Sequence, residues 1–152
     1  MTSEKNTFLI MGACCSAIAA IAHVGCIIYG AEWYRFFGAG EEMARMAEAG
    51  SSQPTIVTSV LVLILSSWAL YGLSGAKVIG RLPLVRLALI AITSIYLLRG
   101  VSFVLLMPIF PENSLTFWLV SSSICLSIGI LYAFGTYQSW EELNPRGAHT
   151  AS

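Results

Sequence analysis

Four long apolar runs, separated by turn chemistry, constrain this chain more than any other feature. They lie at about Thr7–Gly30, Thr55–Leu73, Leu84–Met107 and Ser114–Tyr137. Each is long enough for the roughly 20 helical residues that cross a bilayer. Pro54 and Pro83 stand just before the second and third runs, where proline suits a first helical turn, and Pro111–Asn113 breaks the chain before the fourth. Only 11% of the residues are charged and 57% are hydrophobic, whereas a soluble domain carries about 25% charged residues. So little charge cannot coat a globule of 152 residues, and most of the surface must face lipid. With no net charge, nucleic acid is not an expected partner.

The sequence therefore predicts one all-α domain over residues 1–152, an integral membrane four-helix up-down bundle. The alanine-rich stretch at Ala17–Ala22 resembles a signal-peptide cleavage region, but the apolar run continues past it to Tyr29. An uncleaved first span is expected. Orientation follows from lysine and arginine. Lys5, Lys77, Arg81, Arg86 and Arg146 fall on one side of four spans, five of the eight basic residues. Arg35 and Arg45 lie opposite among Glu32, Glu41, Glu42, Glu48 and Glu112. This pattern places both termini in the cytoplasm, in a multi-pass protein of the cell inner membrane.

The one long connection, Ala31 to Gln53, lies on the outer side. Its "EEMARMAEAG" stretch predicts a short interfacial helix between the first two spans, with glutamates complementing the dipole and Gly50 ending it. Glu41 and Arg45 are spaced as an i,i+4 pair.

Two ionisable residues sit inside apolar runs, where they are costly and need partners. His23 lies on a small-residue face with Gly12, Ser16, Ala19, Cys26 and Gly30, a face suited to close helix approach. Arg99 lies in the third run, with Tyr96 and Ser102 three residues to either side. At about 1.5 Å per residue, His23 and Arg99 are both roughly 10–13 Å below the outer end of their helices. An outer-leaflet polar cluster of His23, Arg99 and Tyr96, with Cys26 nearby and Glu41 and Glu42 as counter-ions from the loop, is the expected candidate site. The fourth run carries a small stripe, Ser121, Cys125, Gly129 and Ala133, expected to meet the first helix or another copy.

The vicinal pair Cys14–Cys15 looks like one feature of small mercury-transport membrane proteins, a resemblance of two residues that lacks the proline commonly following such a pair. Small thiols in helix packing are the favoured reading. His23 with Cys26 supplies two ligands where zinc takes three or four, and His149 lies in the tail on the other side, so neither a metal nor a cofactor is expected. No nucleotide-binding or hydrolase motif occurs. The sequence thus favours a non-enzymatic membrane protein, a self-associating (homo-oligomeric) or accessory subunit working through a membrane-protein partner. The alternative is a binder or carrier of a small anionic or quinone-like molecule at the His23–Arg99–Tyr96 cluster.

Overall fold

The computed structural model describes residues 5–143; Arg146 and His149 lie outside them. The described residues contain seven helices and no strand: α1 (Thr7–Tyr29), α2 (Ala31–Phe36), α3 (Glu41–Glu48), α4 (Gln53–Gly75), α5 (Val85–Val101), α6 (Phe103–Leu106) and α7 (Leu115–Gln138). Three of these, α1, α4 and α7, are long and apolar enough to cross a membrane. The 23 residues of α1 rise about 34 Å, more than the ~30 Å hydrocarbon thickness.

The expected third span is divided. The 17 residues of α5 rise only about 26 Å. At Ser102 the amides of Leu105 and Leu106 both turn to the Ser102 carbonyl, and α6 then runs for one turn. Gly100 and Ser102 are weak helix formers, and they flank Val101 at the point where the ladder breaks.

Local chemistry sets the other ends. Asn6 caps α1, its Oδ1 accepting from the Leu9 amide at 3.0 Å, and Ser114 caps α7 in the same way through Phe117. Pro54 sits in the first turn of α4. Helix α3 ends as its sequence predicts: Gly50 takes φ +73, its amide bonds Ala47, and the Ser51 amide bonds Met46. That is the Schellman arrangement, in which glycine avoids the left-handed penalty.

Helix α1 packs mainly on α4 and also on α7, α5 packs mainly on α7, and α4 also meets α5. Where lipid surrounds helices, close packing and hydrogen bonds hold them together, because lipid tails are as apolar as leucine. Gly72 shows how close the approach is: a Cβ there would lie 2.9 Å from the Ala13 methyl and 3.1 Å from the Tyr132 hydroxyl. One turn further along α7, a Cβ on Gly135 would reach the Leu9 backbone nitrogen at 2.9 Å. Asn6 fastens the same corner, its Nδ2 donating to the Gly135 carbonyl and to Ser139 Oγ, both at 2.9 Å. Ile18, Ile21, Ile28 and Leu63 point outward, as a lipid-facing surface requires.

The small stripe of α7 is taken up inside the chain by α5. Arg99 bonds Ser121, and Gly129 lies against Leu97. The first helix meets α7 instead through Gly12 against the Tyr132 ring and through Leu9 against Gly135. At about 100° per residue Ser121 and Tyr132 fall nearly in line on α7, with Gly129 only about 60° from Tyr132, so spacing alone does not identify the neighbour.

Candidate functional site: the polar layer of the helices

Polar atoms in an apolar interior must find partners or be costly. At the centre of the described helices, Tyr96 of α5 and Tyr132 of α7 stack with centroids 5.9 Å apart. Trp68 of α4 meets Tyr96 edge-on at 5.1 Å. Ser16 of α1 lies between the two tyrosines, 2.9 Å from the Tyr96 hydroxyl and 3.1 Å from that of Tyr132. The Tyr132 hydroxyl donates to the Trp68 carbonyl at 3.1 Å. Because each hydroxyl has one proton, this last bond fixes the others. Ser16 donates to Tyr132, and Tyr96 donates to Ser16. The result is a one-directional chain, Tyr96 to Ser16 to Tyr132 to the Trp68 carbonyl, joining α1, α4, α5 and α7. A serine on the small face of α1 is what lets both rings come this close.

Arg99 stands in the last turn of α5 and turns toward α7. Its Nη2 donates to Ser121 Oγ at 3.1 Å, and its guanidinium carbon lies 5.3 Å from the centre of the Trp118 ring, within cation–π reach. Its Nη1 is buried without a partner. Two more polar atoms on the same two turns of α7, Trp118 Nε1 and Ser122 Oγ, are also buried without one. Neither α1, α4, α5 nor α7 contains a carboxylate. This layer is therefore rich in donors and has only hydroxyl and carbonyl oxygens of its own to accept from them.

The structure separates the residues expected to share one cluster. His23 is half-buried and satisfies its own helix, with Nδ1 2.7 Å from the Ala19 carbonyl; a carbonyl only accepts, so Nδ1 carries the proton. Cys26 is buried at the turn from α1 into α2, its thiol 4.0 Å from the Trp33 carbonyl. Tyr96 belongs to the hydroxyl chain. Glu41 is held by Arg35, Nε to Oε2 and Nη2 to Oε1 at 2.9 Å each, with Arg45 at 3.5 Å, and Glu42 is exposed. No hydrogen bond or ion pair among the described residues joins His23, Glu41 or Glu42 to Arg99. Helical rise places residues at a depth and leaves their neighbours undetermined.

Helices α2 and α3 form a packed cap. Arg35 is its hub, bonding Glu48 at 2.8 Å and Glu32 at 3.3 Å as well as Glu41. The bonds to Glu41 and then Glu48 raise the Arg35 pKa above its ordinary range, and the bonds from Arg35 hold the Glu41 carboxyl below its own. The Glu41 amide donates to Glu112 at 2.8 Å, and Asn113 Nδ2 donates to the Gly38 carbonyl at 3.1 Å, so the α6–α7 connection is tied to the cap. Beneath it, Thr58 of α4 donates to the buried Tyr34 hydroxyl at 3.2 Å.

Sequence reasoning missed Arg35 as a hub and Tyr132 altogether. For Arg35 a signal was present, since Glu32 lies three residues away and Glu41 opens the next helix. For Tyr132 the signal is weaker: a phenol inside an apolar run needs an acceptor. Among the described residues no three His, Cys or Glu side chains gather as metal ligands. The chain matches no protein-family model, and neither a curated protein nor a solved structure gives a match.

Proposed function

We propose that this chain is a four-span inner-membrane protein with both termini in the cytoplasm, working as a non-enzymatic accessory subunit that docks on a partner membrane protein through the Arg99 layer of α5 and α7. Two features support the four-span arrangement. Together α5 and α6 extend from Val85 to Leu106, enough at about 1.5 Å per residue to cross the hydrocarbon. The basic residues Lys77 and Arg81 also gather at one end, bonded to Glu142 and to the carbonyl of Leu143, the last described residue.

One observation carries the accessory role: Arg99 has a buried, unpartnered nitrogen in a chain whose long helices contain no carboxylate. An arginine within the hydrocarbon costs about 2.5–3.5 kcal/mol on insertion scales and stays protonated. A second chain with an intramembrane carboxylate supplies the missing acceptor. Another copy of this chain brings the same deficit, so a different partner suits the site better than self-association.

Trp118 Nε1 and Ser122 Oγ favour a second reading, a small anionic or quinone-like molecule taking the donors of this layer. Native mass spectrometry of the protein released gently from its own membrane separates the two. The accessory role predicts a stoichiometric second protein that is lost in Arg99→Leu and retained in Arg99→Lys. A bare chain carrying a small added mass, lost in Arg99→Leu, would replace the accessory role with the ligand reading.

A further inference from the structure

At the opposite end of the helices from the α2–α3 cap, a groove of about 690 Å3 runs along the start of α5. Pro83, Leu84, Leu87 and Ile90 supply its apolar wall, and Arg81 and Arg86 supply its charge. Leu84, Leu87 and Ile90 are also exposed, so the wall is continuous with the lipid-facing side of α5. Both guanidiniums are held in place. Arg81 donates one nitrogen to the Leu143 carbonyl at 2.6 Å, and Arg86 lies 3.5 Å over the Trp140 ring. Neither is in an ion pair among the described residues, because the nearby Glu142 is taken by Lys77. Each arginine has five N–H donors, so most of the donor capacity here is unspent.

We infer that this groove binds an anionic phospholipid, with its phosphate on Arg81 and Arg86 and an acyl chain along Leu84, Leu87 and Ile90. Planar guanidiniums match phosphate oxygens in pairs. Basic pockets where helices leave the membrane are suited to anionic headgroups. The apolar wall selects a lipid over a soluble phosphate, because only a lipid fills both halves. A tryptophan under Arg86 sits at the level where aromatic rings settle at a membrane interface.

The test uses the full-length protein in neutral detergent, titrated with phosphatidylglycerol and, separately, with phosphatidylcholine, and read by native mass spectrometry. One retained phosphatidylglycerol and no retained phosphatidylcholine is the expected result. The double variant Arg81→Gln/Arg86→Gln should bind phosphatidylglycerol at least about tenfold more weakly, and Arg45→Gln on the cap should bind as the parent does. Equal retention of the two lipids by the parent would overturn the inference, and that comparison needs no variant to fold. An unchanged double variant with normal helicity would also overturn it, as would displacement of phosphatidylglycerol by millimolar inorganic phosphate. If a chain ending at Leu143 bound phosphatidylglycerol more than about tenfold tighter than the full chain, residues 144–152 would be the groove's occupant and the lipid assignment would fall.

Discussion

Arg35 and Glu41 meet fork to fork, each of two guanidinium nitrogens 2.9 Å from its own carboxylate oxygen. The pair joins α2 to α3 across the Gly38–Gly40 turn. The arrangement also makes the cap sensitive to acid. Glu41 titrates below its ordinary value of 4.5 because Arg35 bonds its charged form. A carboxyl whose pKa is lower folded than unfolded contributes stability above the unfolded value and loses it as pH falls through the folded one. Hydrogen exchange at α3 amides should therefore accelerate as pH drops below that of an ordinary glutamate, once intrinsic exchange is corrected for. In Arg35→Gln the faster exchange should already be present at neutral pH, and equal protection in parent and variant would refute the role of the pair.

The direction of the central hydroxyl chain ranks its variants. Ser16→Ala removes the acceptor of Tyr96 and the donor to Tyr132, and Tyr132→Phe removes the acceptor of Ser16 and the donor to the Trp68 carbonyl. Each breaks two bonds and strands one proton, so both should cost more than Tyr96→Phe, which removes only a terminal donor. Interhelical hydrogen bonds in membranes contribute about 0.6 kcal/mol on average and up to about 1.7. Reversible unfolding in mixed micelles should resolve the order, and a largest effect at Tyr96 would refute the assigned direction.

Gly72→Ala places a methyl 2.9 Å from Ala13 and 3.1 Å from the Tyr132 hydroxyl. Both neighbours are anchored, one by a short side chain and one by its hydrogen bonds. Overpacking of this kind costs about 1–3 kcal/mol. Gly80→Ala, with nothing within 4 Å, should be within error of the parent in the same unfolding assay.

Thiol chemistry should separate the cysteines by surroundings. Cys14 is exposed on the outer face of α1, and Cys26 is buried under α2. In detergent at alkaline pH, where thiolate can form at an exposed position, a lipid-soluble maleimide should label Cys14 in the folded protein and reach Cys26 only after unfolding. Comparable labelling rates at the two positions would contradict the packing of α1 against α2.

The starts of α1, α4 and α7 were legible in the sequence because the long apolar runs begin there, and Pro54 marks the start of α4. The caps Asn6 and Ser114 stand at two of those boundaries, but sequence reasoning did not single them out. Helix α3 was legible through Glu41, Glu42 and Gly50. The six residues of α2 were not, since they carry too few turns for a period to show. Ser102 divides the third run because backbone hydrogen bonding there depends on one local turn, a scale that hydropathy averages away. At the candidate site, the sequence supplied the depth of His23 and Arg99 and the need for partners. It could not supply azimuth, and azimuth sends His23 to Ala19, Arg99 to Ser121 and Tyr96 to Ser16.

The Asn6 clasp has a consequence for biosynthesis. Its acceptors, the Gly135 carbonyl and Ser139 Oγ, lie 129 and 133 positions further along the chain. A ribosome therefore makes α1 well before either acceptor exists. The Asn6 side-chain amide stays unclaimed by them until α7 has been translated, so closing this corner depends on the first and last of the described helices both being present.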